Sequence, residues 1–184
     1  MRPSVEAADI DQPLNRYITI AWGHSGLDPL ESVKATGEWI ALARDYLRNQ
    51  GFGMPWIWVQ EYGSYFGAHC HVLLHVAPQI SPLLRGRPHK WARQVLKRRG
   101  LQYLKGTTQT QKLMFGDDID VNIHAYYAAL SGKVHYMLKC APARLEREFG
   151  LVGLGHKPWG QKCTVYGKRA ARWQSKRTTL NRVP

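Results

Sequence analysis

The sequence predicts an α+β fold, and two recurring patterns lead to that prediction. Short runs of alternating apolar and β-branched residues, the pattern of strands, occur at residues 16–22, 56–61 and 119–125. Segments with helical periodicity lie between and after them, which produces the order strand, helix, hairpin, helix, strand, helix. We expect one domain, because 184 residues are enough to bury a single core of ordinary size.

The first strand is predicted over residues 16–22, and a helix follows it. Asp28 is placed to cap that helix, with Pro29 at its first position and Glu31 at its third. Gly51 ends the helical pattern, so the helix extends to about Asn49. The residues expected on its buried face are Val33, Ile40, Ala43 and Leu47.

A β-hairpin is predicted next, with its turn within residues 63–68. Side chains alternate between the two faces of a strand, so His69 and His71 share one face. With the turn in that position, Glu61 falls opposite His69 and one step from His71. The side chains that should face the core instead are Cys70, Val72 and Leu74.

This grouping of one carboxylate and two imidazoles predicts a metal site. A mixed oxygen and nitrogen ligand set suits Mg²⁺, Mn²⁺ or another divalent ion, and it leaves positions open for substrate oxygens. Glu61 is the only acidic residue between Asp45 and Asp117, and it lies where the two histidines need it. A single negative charge in so basic a stretch favours a cation as its partner.

Basic residues dominate the chain, with 26 Lys and Arg against 13 Asp and Glu and a net charge of +13. Such a balance favours a polyanionic partner, of which nucleic acid is the first candidate. Residues 85–105 contain eight basic residues and no acid, and we expect much of this segment to be helical with Trp91 and Val95 facing inward. The side chains expected to contact phosphates are Arg85, Arg87, Lys90, Arg93 and Lys97. A solvated surface is the alternative.

The next elements are a polar loop, a strand and a short helix. Residues 106–118 contain the loop, and the strand is predicted over residues 119–125. Ser131 can cap a helix over residues 132–141, which Pro142 halts. The residues expected on the buried face of that helix are Val134, Met137, Leu138 and Ala141. Tyr136 and Lys139 lie on the opposite side, three residues apart and therefore adjacent.

After Glu148 the chain contains eight basic and no acidic residues, interleaved with Trp159, Tyr166 and Trp173. That composition suits backbone contact and base stacking on single strands, with Lys168 and Arg169 as further candidate contacts. A tail with only nonspecific affinity is the alternative.

The cysteines and the apolar segments indicate a cytoplasmic protein with no membrane partner. Cys70, Cys140 and Cys163 are widely separated and odd in number, which fits reduced thiols. No apolar run approaches the roughly 18 residues of a membrane-spanning helix. Residues 1–13 are polar and acidic and do not have the pattern of a signal peptide.

Taken together, these motifs resemble those of the HUH endonucleases, in particular the rolling-circle replication initiators (Rep) of plasmids and phages. The family's three motifs are an apolar strand, a His-hydrophobic-His strand preceded by an acid, and Tyr-x-x-Lys on a helix. Residues 17–20, then Glu61 with residues 69–71, then Tyr136 with Lys139, match them in that order. The likeness spans residues 16–140, with the small residue Cys70 in the hydrophobic position.

The resemblance implies a central antiparallel sheet of four to five strands flanked by helices, of the ferredoxin-like or RRM-like kind. Our element order agrees with its β-α-β-β-α-β pattern plus one helix. We expect this HUH endonuclease domain at residues 15–148, with a flexible N-terminal arm at residues 1–14 and a basic C-terminal extension at residues 149–184.

The resemblance also implies an activity: site-specific nicking and joining of single-stranded or origin hairpin DNA, which initiates rolling-circle replication. Glu61, His69 and His71 would hold Mg²⁺ or Mn²⁺. Tyr136 would attack the phosphate to form a 5′-phosphotyrosine, with Lys139 favouring the phenolate and neutralising charge. Unwinding and synthesis would need a host helicase and polymerase.

Several alternatives stay open. Tyr126 or Tyr127 could be a second nucleophile, and His75 or His124 could support the site. A one-tyrosine transposase or a conjugative relaxase would use the same chemistry, although a relaxase usually places its tyrosine before the histidines. A different class altogether is a non-catalytic, RRM-like nucleic-acid-binding module, which would need no metal and form no covalent adduct.

Overall fold

The computed structural model describes residues 12–113, 122–138 and 170–172. The helices and strands are β1 (Arg16–Ile20), α1 (Pro29–Asn49), β2 (Trp56–Gly63), β3 (Gly67–Leu74), α2 (Arg87–Lys97), β4 (Thr108–Lys112), α3 (Ile123–Leu138) and β5 (Ala170–Arg172). The strands form one five-stranded sheet in the order β4-β1-β3-β2-β5, and every neighbouring pair is antiparallel. The predicted α+β fold with a central antiparallel sheet is therefore confirmed.

The chain from β1 to β4 follows the β-α-β-β-α-β order of the ferredoxin-like motif. Helix α3 and strand β5 come after this unit. Strand β5 pairs with β2, so residues 170–172 of the basic C-terminal segment form an edge of the same sheet. In the described part of the chain, no helix is both long enough and apolar enough to cross a membrane.

Helix α1 begins where the sequence predicts. The side chain of Asp28 accepts a hydrogen bond from the backbone N–H of Glu31 at 2.8 Å, and Pro29 occupies the first turn. A capped N-terminus satisfies a backbone donor that would otherwise lack a partner within the helix, which fixes the first turn.

Helices α1 and α2 cover one face of the sheet and form the larger core with it. The strand side chains in this core include Ile18, Ile20, Trp58, Cys70, Val72 and Leu74. The helices contribute Trp39, Ala43, Leu47, Trp91 and Val95. The predicted inward positions of Trp91 and Val95 are thus confirmed, as is the core-facing side of β3.

Helix α3 packs on the opposite face of the sheet. Its buried side chains Tyr126, Leu130 and Met137 belong to a second apolar cluster. The remaining buried members of that cluster are Leu14, Tyr17, Val59 and Leu73. Leu14 is therefore part of the core, although it lies at the end of the predicted N-terminal arm.

The predicted loop and strand between α2 and α3 were wrong. Residues 108–112 form β4 rather than a loop, because this polar strand lies at the sheet edge and pairs with β1 through its backbone. Residues 123–125 are helical rather than extended, while 119–121 lie outside the described residues. Asn122 accepts a hydrogen bond from the N–H of Ala125 at 3.1 Å, as a capping residue does.

Two smaller predictions were also wrong. Ser131 lies inside α3 instead of capping it, because the helix starts about two turns earlier. Strand β1 ends at Ile20, and Trp22–Ser25 form a 3-10 turn. This turn forms because the buried Trp22 points into the core, where its indole N–H donates to Thr36 Oγ1 at 2.9 Å.

Two leucines of α1 test the packing of the larger core. Leu47 is 1% exposed and Leu30 is 52% exposed. We predict that Leu47→Ala lowers the free energy of unfolding by about 2–5 kcal/mol, because it leaves a cavity. Leu30→Ala, the control on the same helix, should change it by no more than about 0.5 kcal/mol. Urea denaturation measures both, and equal effects would contradict the packing of α1 described here.

Candidate active site

The hairpin brings the predicted metal ligands together. Strands β2 and β3 pair in the register that places Glu61 opposite His69 and Val59 opposite His71. One ligand atom from each of Glu61, His69 and His71 lies within 4.8 Å of the others. The predicted grouping on one sheet face is therefore observed, and it lies on the face covered by α3 rather than by α1 and α2.

The three side chains are buried against each other. Glu61 Oε2 lies 3.4 Å from His69 Nε2 and 3.5 Å from His71 Nε2. All three side chains are no more than 3% exposed. Because a buried carboxylate needs compensating positive charge, this carboxylate with two imidazoles could hold a metal ion.

The ring of His69 is oriented by the backbone of its own strand. Its Nδ1 lies 3.0 Å from the carbonyl oxygen of Gly67. A carbonyl oxygen only accepts hydrogen bonds, so Nδ1 carries the hydrogen. In the neutral ring, Nε2 then presents a lone pair on the side of Glu61, which is the tautomer a metal ligand requires.

The ring of His71 is oriented by two hydroxyl groups from β1. Its Nδ1 lies 2.7 Å from Tyr17 Oη and 3.0 Å from Thr19 Oγ1. Either oxygen can accept from an Nδ1–H, which leaves Nε2 to face Glu61. The Tyr17 ring also stacks on His71, with centroids 5.4 Å apart and planes 17° from parallel.

Tyr17 remains a neutral hydroxyl in this environment. Burial raises its pKa well above the usual range, and the hydrogen bond from Thr19 opposes this only in part. The neighbouring Tyr136 and Glu61 raise the pKa of Tyr17 further. Tyr17 is therefore a hydrogen-bonding partner of His71, not a second anionic group at the cluster.

Sequence reasoning missed Tyr17 and Thr19 as site residues. Both lie on β1 at alternate positions, so they share a face, and the signal was present in that spacing. What the sequence does not reveal is the register of β1 against β3, which places Thr19 directly opposite His71.

Tyr136 lies beside the cluster. Its ring contacts that of His71, with centroids 5.2 Å apart and planes at 67°. The Tyr136 side chain is 46% exposed, as predicted for a residue presented outward. Met137, the next residue, is buried in the α3 core and anchors the helix here. Lys139 lies outside the described residues.

The basic residues of α2 lie on the other face of the sheet, because Trp91 and Val95 pack in the α1–α2 core. The guanidinium carbon of Arg87 lies over the Tyr46 ring, 4.5 Å from its centroid, and that of Arg93 lies 5.2 Å from the centroid of the Tyr103 ring. The structure therefore does not bring α2 to the histidines.

The phosphate contacts predicted for Arg85, Arg87, Lys90, Arg93 and Lys97 stay a prediction. Lys168 and Arg169 lie outside the described residues.

Arg99, just after α2, has a structural partner. Its guanidinium donates to both carboxylate oxygens of Glu38 on α1, at 2.6 and 3.1 Å. This hydrogen bonding holds the pKa of the Glu38 carboxyl below its usual range. Part of the predicted basic segment thus joins α1 to the end of α2.

Of the remaining histidine and tyrosine candidates, His75 and Tyr126 make hydrogen bonds to backbone carbonyls. His75 donates from Nδ1 to the carbonyl of Pro13 at 2.8 Å, and burial lowers the pKa of its ring. Tyr126 is buried, its hydroxyl donates to the carbonyl of Leu14 at 3.3 Å, and burial raises its pKa to about 12. His124 is exposed on α3, and the ring of Tyr127 contacts that of Tyr126.

Comparison with known proteins identifies no relative. No protein-family model, no curated protein and no solved structure matches the chain. The geometry of the site is therefore the evidence that bears on function.

Metal binding at the cluster can be measured through stability. We predict that Mn²⁺ at about 100 times its dissociation constant stabilises the fold by about 2.7 kcal/mol, because the ion binds only the folded chain. His71→Ala should abolish the stabilisation, whereas His124→Ala, an exposed histidine on α3, should keep it. Thermal denaturation with and without Mn²⁺ measures both. Stabilisation that survives in His71→Ala would place the ion elsewhere.

The role of Tyr17 gives a separate prediction. Tyr17→Phe removes the hydroxyl beside His71 Nδ1 but keeps the stacked ring, so the fold should persist. Loss of such an orienting partner typically lowers metal affinity about 10–100-fold. Isothermal titration with Mn²⁺ measures the change, with Tyr127→Phe as a control for loss of a tyrosine hydroxyl. An unchanged affinity in Tyr17→Phe would show that metal binding does not need the Tyr17 hydroxyl and that Thr19 is enough to orient His71.

Proposed function

We propose that this protein is a metal-dependent enzyme that nicks and rejoins single-stranded DNA through a covalent tyrosine intermediate. The observation that carries the proposal is the contact between Tyr136 and His71, which puts an exposed hydroxyl-bearing side chain beside a buried Glu-His-His group. These residues are 65 positions apart in the chain, so their proximity is a property of the fold.

Glu61, His69 and His71 would hold Mg²⁺ or Mn²⁺. When bound, such an ion would supply Lewis-acid polarisation of the scissile phosphate. Tyr17 and Thr19 would keep His71 in the orientation and tautomer that ligation needs, and the Gly67 carbonyl would do so for His69. The burial of the three ligands would exclude water from them.

Tyr136 would act as the nucleophile. Its phenolic oxygen would form a bond to phosphorus while the bond between phosphorus and the 3′ oxygen breaks. The proton lost by the tyrosine is balanced by the proton that the 3′ hydroxyl gains. Lys139, which follows Tyr136 by three residues, would stabilise the charge that develops on the phosphate.

The products would be a 5′-phosphotyrosine and a free 3′ hydroxyl. The phosphotyrosine bond is itself a phosphodiester, so attack by a 3′ hydroxyl would rejoin the strand without ATP. A free 3′ hydroxyl can prime synthesis, which suits initiation of rolling-circle replication with a host helicase and polymerase. The net charge of +13 supports a polyanionic substrate.

The covering of the sheet disfavours the non-catalytic alternative. An RRM-like module stacks bases on an open face of its sheet. Here α1 and α2 cover one face, and α3 packs on the other against Tyr17, Val59 and Leu73. A transposase or relaxase of the same superfamily would share the chemistry proposed here.

A covalent-adduct assay tests the proposal. The protein is incubated with Mn²⁺ and a labelled pool of single-stranded oligonucleotides that carry a hairpin flanked by randomised sequence. We expect a DNA–protein adduct that survives a denaturing gel, requires the ion and disappears in Tyr136→Phe. Tyr127→Phe, an exposed tyrosine of the same helix, should form the adduct normally.

Two outcomes would contradict this proposal. An adduct that forms equally in Tyr136→Phe would assign the nucleophile elsewhere. An adduct that forms equally in EDTA would remove the metal from the reaction.

A further inference from the structure

The tip of the β2–β3 hairpin carries a cluster of aromatic rings at the surface. Tyr65 is 78% exposed, and its ring meets that of Phe66 edge to face, with centroids 4.8 Å apart. His24 belongs to the 3-10 turn after β1. The centroid of its ring lies 5.5 Å from that of Phe66 and 5.9 Å from that of Tyr65. Because most of the Tyr65 side chain is exposed, the apolar surface of this ring is accessible to a partner.

This cluster is continuous with the candidate active site. The ring centroids of Phe66 and His69 are 5.4 Å apart, and those of His69 and His71 are 5.0 Å apart. The ring centroids of His71 and Tyr136 are 5.2 Å apart. A continuous series of ring contacts therefore connects the exposed Tyr65 to the proposed nucleophile. The aromatic cluster of the tip, through Phe66, therefore adjoins the place where a scissile phosphate would lie.

The backbone holds the tip in place. A Cβ added to Gly23 would come within 2.7 Å of both the Phe66 carbonyl oxygen and the Ala68 nitrogen. The turn after β1 can therefore approach the hairpin this closely only with glycine at that position. His24 Nε2 also lies 3.3 Å from the Tyr65 carbonyl oxygen, within hydrogen-bonding distance. The turn after β1, distant in sequence from the hairpin, thus supports the hairpin tip.

From these observations we infer that the hairpin tip, Tyr65 with Phe66 and His24, is a stacking platform for an unpaired base of single-stranded DNA. The inference rests on the proposed function, since it assigns to that site the contact with a nucleotide beside the cleaved bond. Bases stack on aromatic rings irrespective of sequence, because every base has a π face. The strongly basic chain would attract the backbone of the same strand.

The test measures binding apart from cleavage. Fluorescence anisotropy in EDTA compares a labelled oligothymidylate with an abasic oligonucleotide of equal length. We expect Tyr65→Ala to weaken binding of the oligothymidylate about tenfold, the usual effect of losing one stacked base. Binding of the abasic strand should be unchanged, because it has no bases to stack.

Two further variants make the result specific. Tyr65→Trp keeps a stacking ring and should bind oligothymidylate at least as tightly as the wild type. Tyr127→Ala removes a tyrosine that is 45% exposed on α3, and it should leave both affinities unchanged. Circular dichroism should show all three variants folded, since neither Tyr65 nor Tyr127 is buried in a core cluster.

The outcomes separate this inference from the proposed function. Equal affinities of wild type and Tyr65→Ala for oligothymidylate would overturn the platform, as would a wild type that does not prefer oligothymidylate to the abasic strand. Either result can coexist with normal Tyr136 adducts, in which case only the platform fails. Conversely, a base-dependent loss in Tyr65→Ala without any covalent adduct would support the platform while the nicking activity fails.

Discussion

The pairing register of β2 and β3 is the constraint on which the site depends. Antiparallel pairing places Glu61 opposite His69, and the two-residue period of a strand then brings His71 to the same face. A slip by one residue would turn both histidines into the core and bring Cys70, Val72 and Leu74 out of it. Because those three side chains are buried under α1 and α2, the apolar core on one face fixes the polar cluster on the other.

The cluster also depends on contacts from outside the hairpin. The central strand β1 lies next to β3 and supplies the hydroxyls of Tyr17 and Thr19 to His71. Helix α3 packs over the same face through Tyr126, Leu130 and Met137, and so sets the position of Tyr136. Three strands and one helix therefore meet at His71, which has neighbours from β1, β2 and α3. This explains why a ring on a short hairpin can be held in one orientation.

Features set by residues close together in the sequence could be predicted, whereas features set by residues far apart in the sequence could not. The α1 cap and the β2–β3 hairpin are local, and both were predicted correctly, including Glu61 opposite His69. The role of Tyr17 depends on the pairing of strands more than 50 residues apart, which no local pattern specifies. Strand β4 was missed because its polar side chains carry no apolar alternation, and its pairing with β1 is made by the backbone.

The distribution of exposure indicates from which side a substrate would approach. Glu61, His69 and His71 are almost fully buried, whereas Tyr136 is 46% exposed and Tyr65 is 78% exposed. The basic helix α2 lies across the sheet from the cluster, so its arginines cannot deliver a phosphate to it directly. In the proposed reaction the strand would therefore reach the cluster past the rings between Tyr65 and Tyr136. Basic residues elsewhere would raise the affinity for DNA, while these rings would position the strand for cleavage.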